Sequence, residues 1–225
     1  MRAVSALLLI LLAAAARGAD PVPSTDNATM GALAVPPAPS EERSRAFTGP
    51  VHFHSKGTIK ALLIKMDRDL RIAMEPVREG GRLTAVDTTV VDVAHGNKRY
   101  HGVLPLTARG TLMASEPHLI NATNIWSITP EIREKLKAGG GPIRVPGRVD
   151  TDGELRGVMC THRFAGLDAD GLVQVETATE SNDGELHFKT LITLAADGLP
   201  LHGVTTGTIK KGPVEVDVNV HLTRE

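Results

Sequence analysis

The sequence predicts a mainly β protein, with antiparallel strands forming a barrel or a sandwich and one short helix. Three observations predict it. Near the C-terminus, in "VEVDVNVHLT", apolar and polar residues alternate without a break. Glycine-based turn signals, Glu79-Gly80-Gly81, Asn182-Asp183-Gly184 and Asp197-Gly198, separate the alternating stretches. One stretch alone carries the start and stop chemistry of a helix. Many strands, short turns and one helix belong to all-β architectures.

In chain order, "MRAVSALLLILLAAAARGAD" comes first. Arg2 supplies a basic start, an apolar run follows, and Ala14-x-Ala16 or Ala16-x-Gly18 suits a signal peptidase. The apolar run is short for a bilayer span, so residues 1–18 are read as a cleaved signal peptide. No cysteine stands at the cleavage site, which argues against a lipid-modified N-terminus. The expected location is periplasmic or secreted. Residues 19–46, rich in Pro, Ala and Ser without a hydrophobic period, read as a disordered linker. The single β domain is expected over 47–225.

Within that domain, "GTIKALLIKMDRDLRIAME" fits a helix through Ile59, Leu62, Leu63, Met66 and Leu70. The alternation of Leu70, Ile72 and Met74 favours two strands joined at Asp67-Arg68-Asp69. "LTAVDTTVVDVAHG" is a further strand. In "SITPEIREKLKAGGG", Thr129 caps a helix, Pro130 takes its first position and Gly139 to Gly141 stop it. Ile132 and Leu136 fall on its buried side. "GLVQVETAT" and "ELHFKTLITL" are strands; in the second, Leu186, Phe188, Ile192 and Leu194 share a face with Thr190 as a polar intruder. In the last strand Val214, Val216, Val218, Val220 and Leu222 form the dry side.

Composition excludes several functions. A net charge of -1 over 225 residues argues against nucleic acid as a partner, because phosphate binding needs a basic surface. Aromatics at 3% argue against base-stacking and carbohydrate-stacking faces. A single cysteine excludes an internal disulfide framework.

Candidate chemistry is sparse. His52 and His54 share a strand face roughly 7 Å apart, a spacing found in metal sites. The simpler reading is two surface histidines flanking an inward Phe53. Cys160 and His162 also share a face, but the spacing supplies no orienting group for a nucleophile, so a buried free thiol is expected. There is no G-x-S-x-G elbow, no H-E-x-x-H and no phosphate-cradling loop. The acidic pairs Asp67/Asp69 and Asp168/Asp170 read as solvated turns. The expectation is a non-enzyme without cofactor or metal.

"GRVDTDGELRGVMCTHRFAGLDADGLVQVET" followed by "TLITLAADGLPLHGVTTG" resembles the second half of a YceI-like domain. The resemblance rests on Val149-Asp150-Thr151, Arg156, the strand from Val173 to Thr177, Leu194, and His202-Gly203-Val204. The opening "VHFHSKGTIKALL" is more loosely similar. Gly157 follows the arginine where the family usually has Asp, and the histidine expected near Met159 is missing. The resemblance implies a lipocalin-like antiparallel barrel that holds an isoprenoid or other apolar lipid chain.

A small barrel either fills its interior with side chains or encloses one ligand. A dry face of Val, Leu and Ile with few aromatics suits a linear hydrocarbon. Phe188, Ile192, Leu194, Val216, Val218 and Val220 are therefore the expected lining. The competing expectation is a structural or interaction domain of the cell envelope with a packed interior.

Overall fold

The computed structural model describes residues 47–62, 64–106, 112, 119, 125–126, 128–146, 149–150, 153–154, 158–182 and 184–225. The signal-peptide and linker readings, and Thr151 and Arg156, lie outside these residues.

Period-two alternation becomes strand wherever the sequence shows it. The chain runs β1 (Val51–Ala61), β2 (Ile64–Glu79), β3 (Arg82–Asp92), β4 (Lys98–Pro105), α1 (Pro130–Lys137) and β5 (Ile143–Pro146). It continues through β6 (Val149–Asp150), β7 (Gly153–Glu154), β8 (Val158–Leu167), β9 (Val173–Ser181), β10 (Leu186–Leu194), β11 (Pro200–Lys211) and β12 (Val214–Arg224). Among the described residues ten strands form one sheet in the order β4-β3-β2-β1-β12-β11-β10-β9-β8-β5, and β6 and β7 pair apart from it. Every neighbouring pair is antiparallel. Two meanders, β1–β4 and β8–β12, are thus joined at the centre by the first and last strands. β4 and β5 are the two ends of the sheet and do not pair with each other. Lys98, Arg99 and His101 leave β4 a charged, exposed edge, which discourages edge-to-edge association.

The expected junction at Asp67-Arg68-Asp69 is displaced. The β1–β2 hairpin closes between Ala61 and Ile64, with Leu62 at φ 52° and 80% exposed. Asp67, Arg68 and Asp69 lie inside β2. The charges misled because a wet strand face is as polar as a turn, while Leu62 lacks turn chemistry. The Gly80, Gly81, Gly184 and Gly198 turns stand where expected, each with positive φ.

The helix follows its caps. Thr129 Oγ1 accepts the Ile132 amide at 3.3 Å, Pro130 opens the first turn, and Gly139, at φ 78°, donates to the Leu136 carbonyl at 3.2 Å. Leu136 is fully buried and Ile132 half-buried, as its two-residue apolar stripe requires.

One face of the sheet is dry. A first cluster joins Phe53, Ile72, Met74, Val86 and Val90 of β1–β3 to Phe47, Leu119, Trp126 and Leu199. Trp126 meets Phe47 edge to face, with centroids 5.1 Å apart. A second cluster packs Ile128 and Leu136 on Val173, Val175, Ile192 and Leu194. Two mid-strand glycines permit close strand approach on this face. A Cβ on Gly57 would stand 2.1 Å from the Asn219 carbonyl oxygen, and one on Gly207 2.1 Å from that of His187.

Candidate functional site

Strand register arranges the inner face in rows that cross the sheet. One row runs Met66–Ile59–Val218–Gly207–Phe188–Thr179–Cys160. The next, two residues along each strand, runs Arg68–Gly57–Val220–Thr205–Thr190–Thr177–His162. The third runs Leu70–Ser55–Leu222–Gly203–Ile192–Val175.

Burial differs between them. Met66, Ile59, Val218 and Phe188 in the first row are half-buried, as are Val220, Thr205 and Thr190 in the second. Leu70, Ser55, Ile192 and Val175 in the third are buried. From β2 to β9 the inner face is therefore covered towards the core clusters and only partly covered towards the β1–β2 and β11–β12 hairpins, while Phe164 of β8, paired with Val175, is 42% exposed. Val216 is the exception at the hairpin end, 3% exposed between Ala61 and Ile209.

The six expected lining residues divide accordingly. Phe188, Val218 and Val220 sit on the half-covered part. Ile192 and Leu194 belong to the second core cluster together with Leu136 of α1, and Val216 is buried. A groove of about 400 Å³ opens on the other, wet face, between Thr58, Lys60, Thr206, Thr208, Asp217 and Asn219, with Gly207 and Val218 between them.

The second row is polar, which periodicity alone did not show. Thr190, the intruder of the sequence, bonds Thr205 across the strands at 3.0 Å. His162 is completely buried, and its Nδ1 lies 2.8 Å from Thr177 Oγ1. Its Nε2 is buried and has no hydrogen-bond partner among the described residues. Desolvation brings the imidazole down to about 4, so it is neutral in the fold near pH 7. Cys160 Sγ lies 3.3 Å from Thr179 Oγ1; burial raises the thiol, and the bond to Thr179 opposes this. Cys160 is thus a buried thiol outside any disulfide, and its burial disfavours the thiolate.

Arg68 holds the other end of this row. It shares the face of Leu70, Ile72 and Met74, although the sequence reading placed it in a turn. The missed signal was its parity with those three residues. Desolvation brings the guanidinium down to about 10, partly offset by Asp92, so it stays charged at neutral pH.

The histidine pair divides. His54 Nε2 lies 2.8 Å from Asp69 Oδ1, while His52 is exposed on the same face. Among the described residues no group of three His, Cys, Asp or Glu side chains could hold a metal ion. No described helix is long and apolar enough to cross a membrane.

No protein-family model matches the chain, and no curated protein matches it either. Among solved structures it is similar to the crystal structure of a DUF1329 family protein from Desulfovibrio piger, at 7% identity over 84% of this chain and 92% of that one. The TM-score is 0.29, too loose to assign a family.

Proposed function

We propose that the protein is an exported, non-catalytic carrier of an apolar lipid chain, an isoprenoid or a similar amphiphile, held on the inner face of a lipocalin-like sheet. One observation carries the reading: Met66, Ile59, Val218 and Phe188 form an aliphatic and aromatic row that the chain leaves half-covered. Half-buried apolar side chains in a row keep surface in contact with water that a bound apolar chain would cover favourably. The YceI-like motifs of the sequence support the same reading.

The packed-interior alternative draws on the two core clusters, which fill the rest of this face. Native mass spectrometry of protein purified without detergent separates them. The carrier retains a co-purifying apolar ligand that gentle organic extraction removes; a scaffold with a full interior shows the bare mass throughout. Export has its own check. N-terminal sequencing of periplasmic or secreted protein is expected to begin at Arg17 or Ala19, and material retaining Met1 would contradict it.

A further inference from the structure

Arg68 is a half-buried cation on the inner face, with no ion-paired carboxylate among the described residues. A guanidinium presents five donors in a planar fork and is costly to desolvate unless they are used. Among the described residues its hydrogen bond is a single long one, from Nε to Ser55 Oγ at 3.4 Å. Asp92, on the same face one strand away, attracts it electrostatically but makes no ion pair with it. The Asp92 carboxylate instead holds His95 Nδ1, at 2.9 and 3.0 Å. Directly across from Arg68 on β1 stands Gly57, which places no side chain over the fork. Two residues along β2 towards the hairpin begins the half-buried row of Met66, Ile59 and Val218.

From this juxtaposition we infer that Arg68 binds the anionic oxygen head of an amphiphile whose chain lies along Met66, Ile59 and Val218. The inference rests on the carrier reading and specifies its ligand class. A carboxylate accepts two parallel N–H bonds from an arginine fork, and the low-dielectric surroundings strengthen both. From Arg68 the path runs one residue pair along β2, about 7 Å, to Met66, and then crosses β1 to Val218 of β12 over about 10 Å. A free anion would satisfy the fork but leave the apolar row uncovered. A hydrocarbon without a head would cover the row and leave the cation unpaired.

Titration calorimetry of extracted, folded protein with dodecanoate, dodecanol and acetate tests this. Dodecanoate is expected to bind about tenfold tighter than dodecanol, the worth of a charge-assisted bond, and acetate far more weakly than either. In Arg68→Gln the preference for the acid should vanish while dodecanol affinity holds. Arg68→Lys, which keeps the charge and loses the fork, should retain part of the preference, and it serves where the Gln variant fails to fold. Arg71→Gln, on the wet face of the same strand, should leave all affinities unchanged. Equal binding of acid and alcohol by the parent protein, or an acid preference that survives Arg68→Gln, overturns the role of Arg68 and leaves the carrier standing. Acetate binding as tightly as dodecanoate overturns the chain's part in it. Failure of both long-chain probes to bind removes the carrier reading and this inference together.

Discussion

His162 shows how a single side chain links burial to solution behaviour. Its imidazole is fully enclosed, bonded through Nδ1 to Thr177, and held at about 4 against an ordinary 6.5. The unfolded chain therefore takes up a proton near pH 6.5 that the folded chain refuses until about pH 4. Its contribution to stability is complete above pH 6.5 and is lost as pH falls through that window, at no more than about 1.4 kcal/mol per pH unit. Urea unfolding between pH 4.5 and 7.5 should show this slope. His162→Gln, which keeps a polar partner for Thr177 but does not titrate, should flatten it; an unchanged slope would mean that another group governs the acid limb. Trp126 gives a simpler expectation. It is fully buried against Phe47, and Trp126→Ala should cost about 3–5 kcal/mol by removing the largest side chain of the first core cluster. Chemical denaturation measures that loss directly.

Among the elements, the helix and the alternating strands were legible because their signals are local. Thr129, Pro130 and Gly139 act within one turn of the chain, and the period of "VEVDVNVHLT" is visible without knowing its neighbours. Thr129→Ala should lower stability by about 1 kcal/mol through the lost cap, as read by thermal unfolding. What was not legible depends on pairing. The Leu62 hairpin has no turn residue to announce it, and Asp67-Arg68-Asp69 imitates one. The Thr205–Thr190–Thr177–His162 row exists only once four strands stand in register. Gly57 and Gly207 are equally silent in sequence, where they resemble loop glycines inside strands. Gly57→Ala should destabilise far more than an ordinary surface change, because its methyl would overlap the Asn219 carbonyl at 2.1 Å. Near-parental melting of that variant would mean that β1 and β12 approach less closely than described.

At the scale of the molecule, two meanders joined by β1 and β12 give a sheet whose inner face is filled on one side and half-covered on the other. The mainly β class and the short helix at 130–137 agree with the sequence, and among the described residues β4 and β5 end the sheet without pairing to each other. Of the expected lining, Phe188, Val218 and Val220 stand on the half-covered part, while Ile192, Leu194 and Val216 are taken up by packing. Alternation assigns residues to a face but not to a depth, since depth depends on what packs against that face, such as Leu136 of α1 in the second core cluster.

The central claim, that this face holds an apolar chain, is tested most directly at Val218. Val218→Trp places an indole in the half-buried row, and Asp217→Asn changes the wet face and its groove one residue away. Native mass spectrometry and melting temperature are measured together for the parent and both variants. The account predicts an apolar ligand on the parent and on Asp217→Asn, and its loss from Val218→Trp with the melting temperature retained. A bare parent protein, with Val218→Trp destabilised by the roughly 1–3 kcal/mol that overpacking a full core costs, would contradict it.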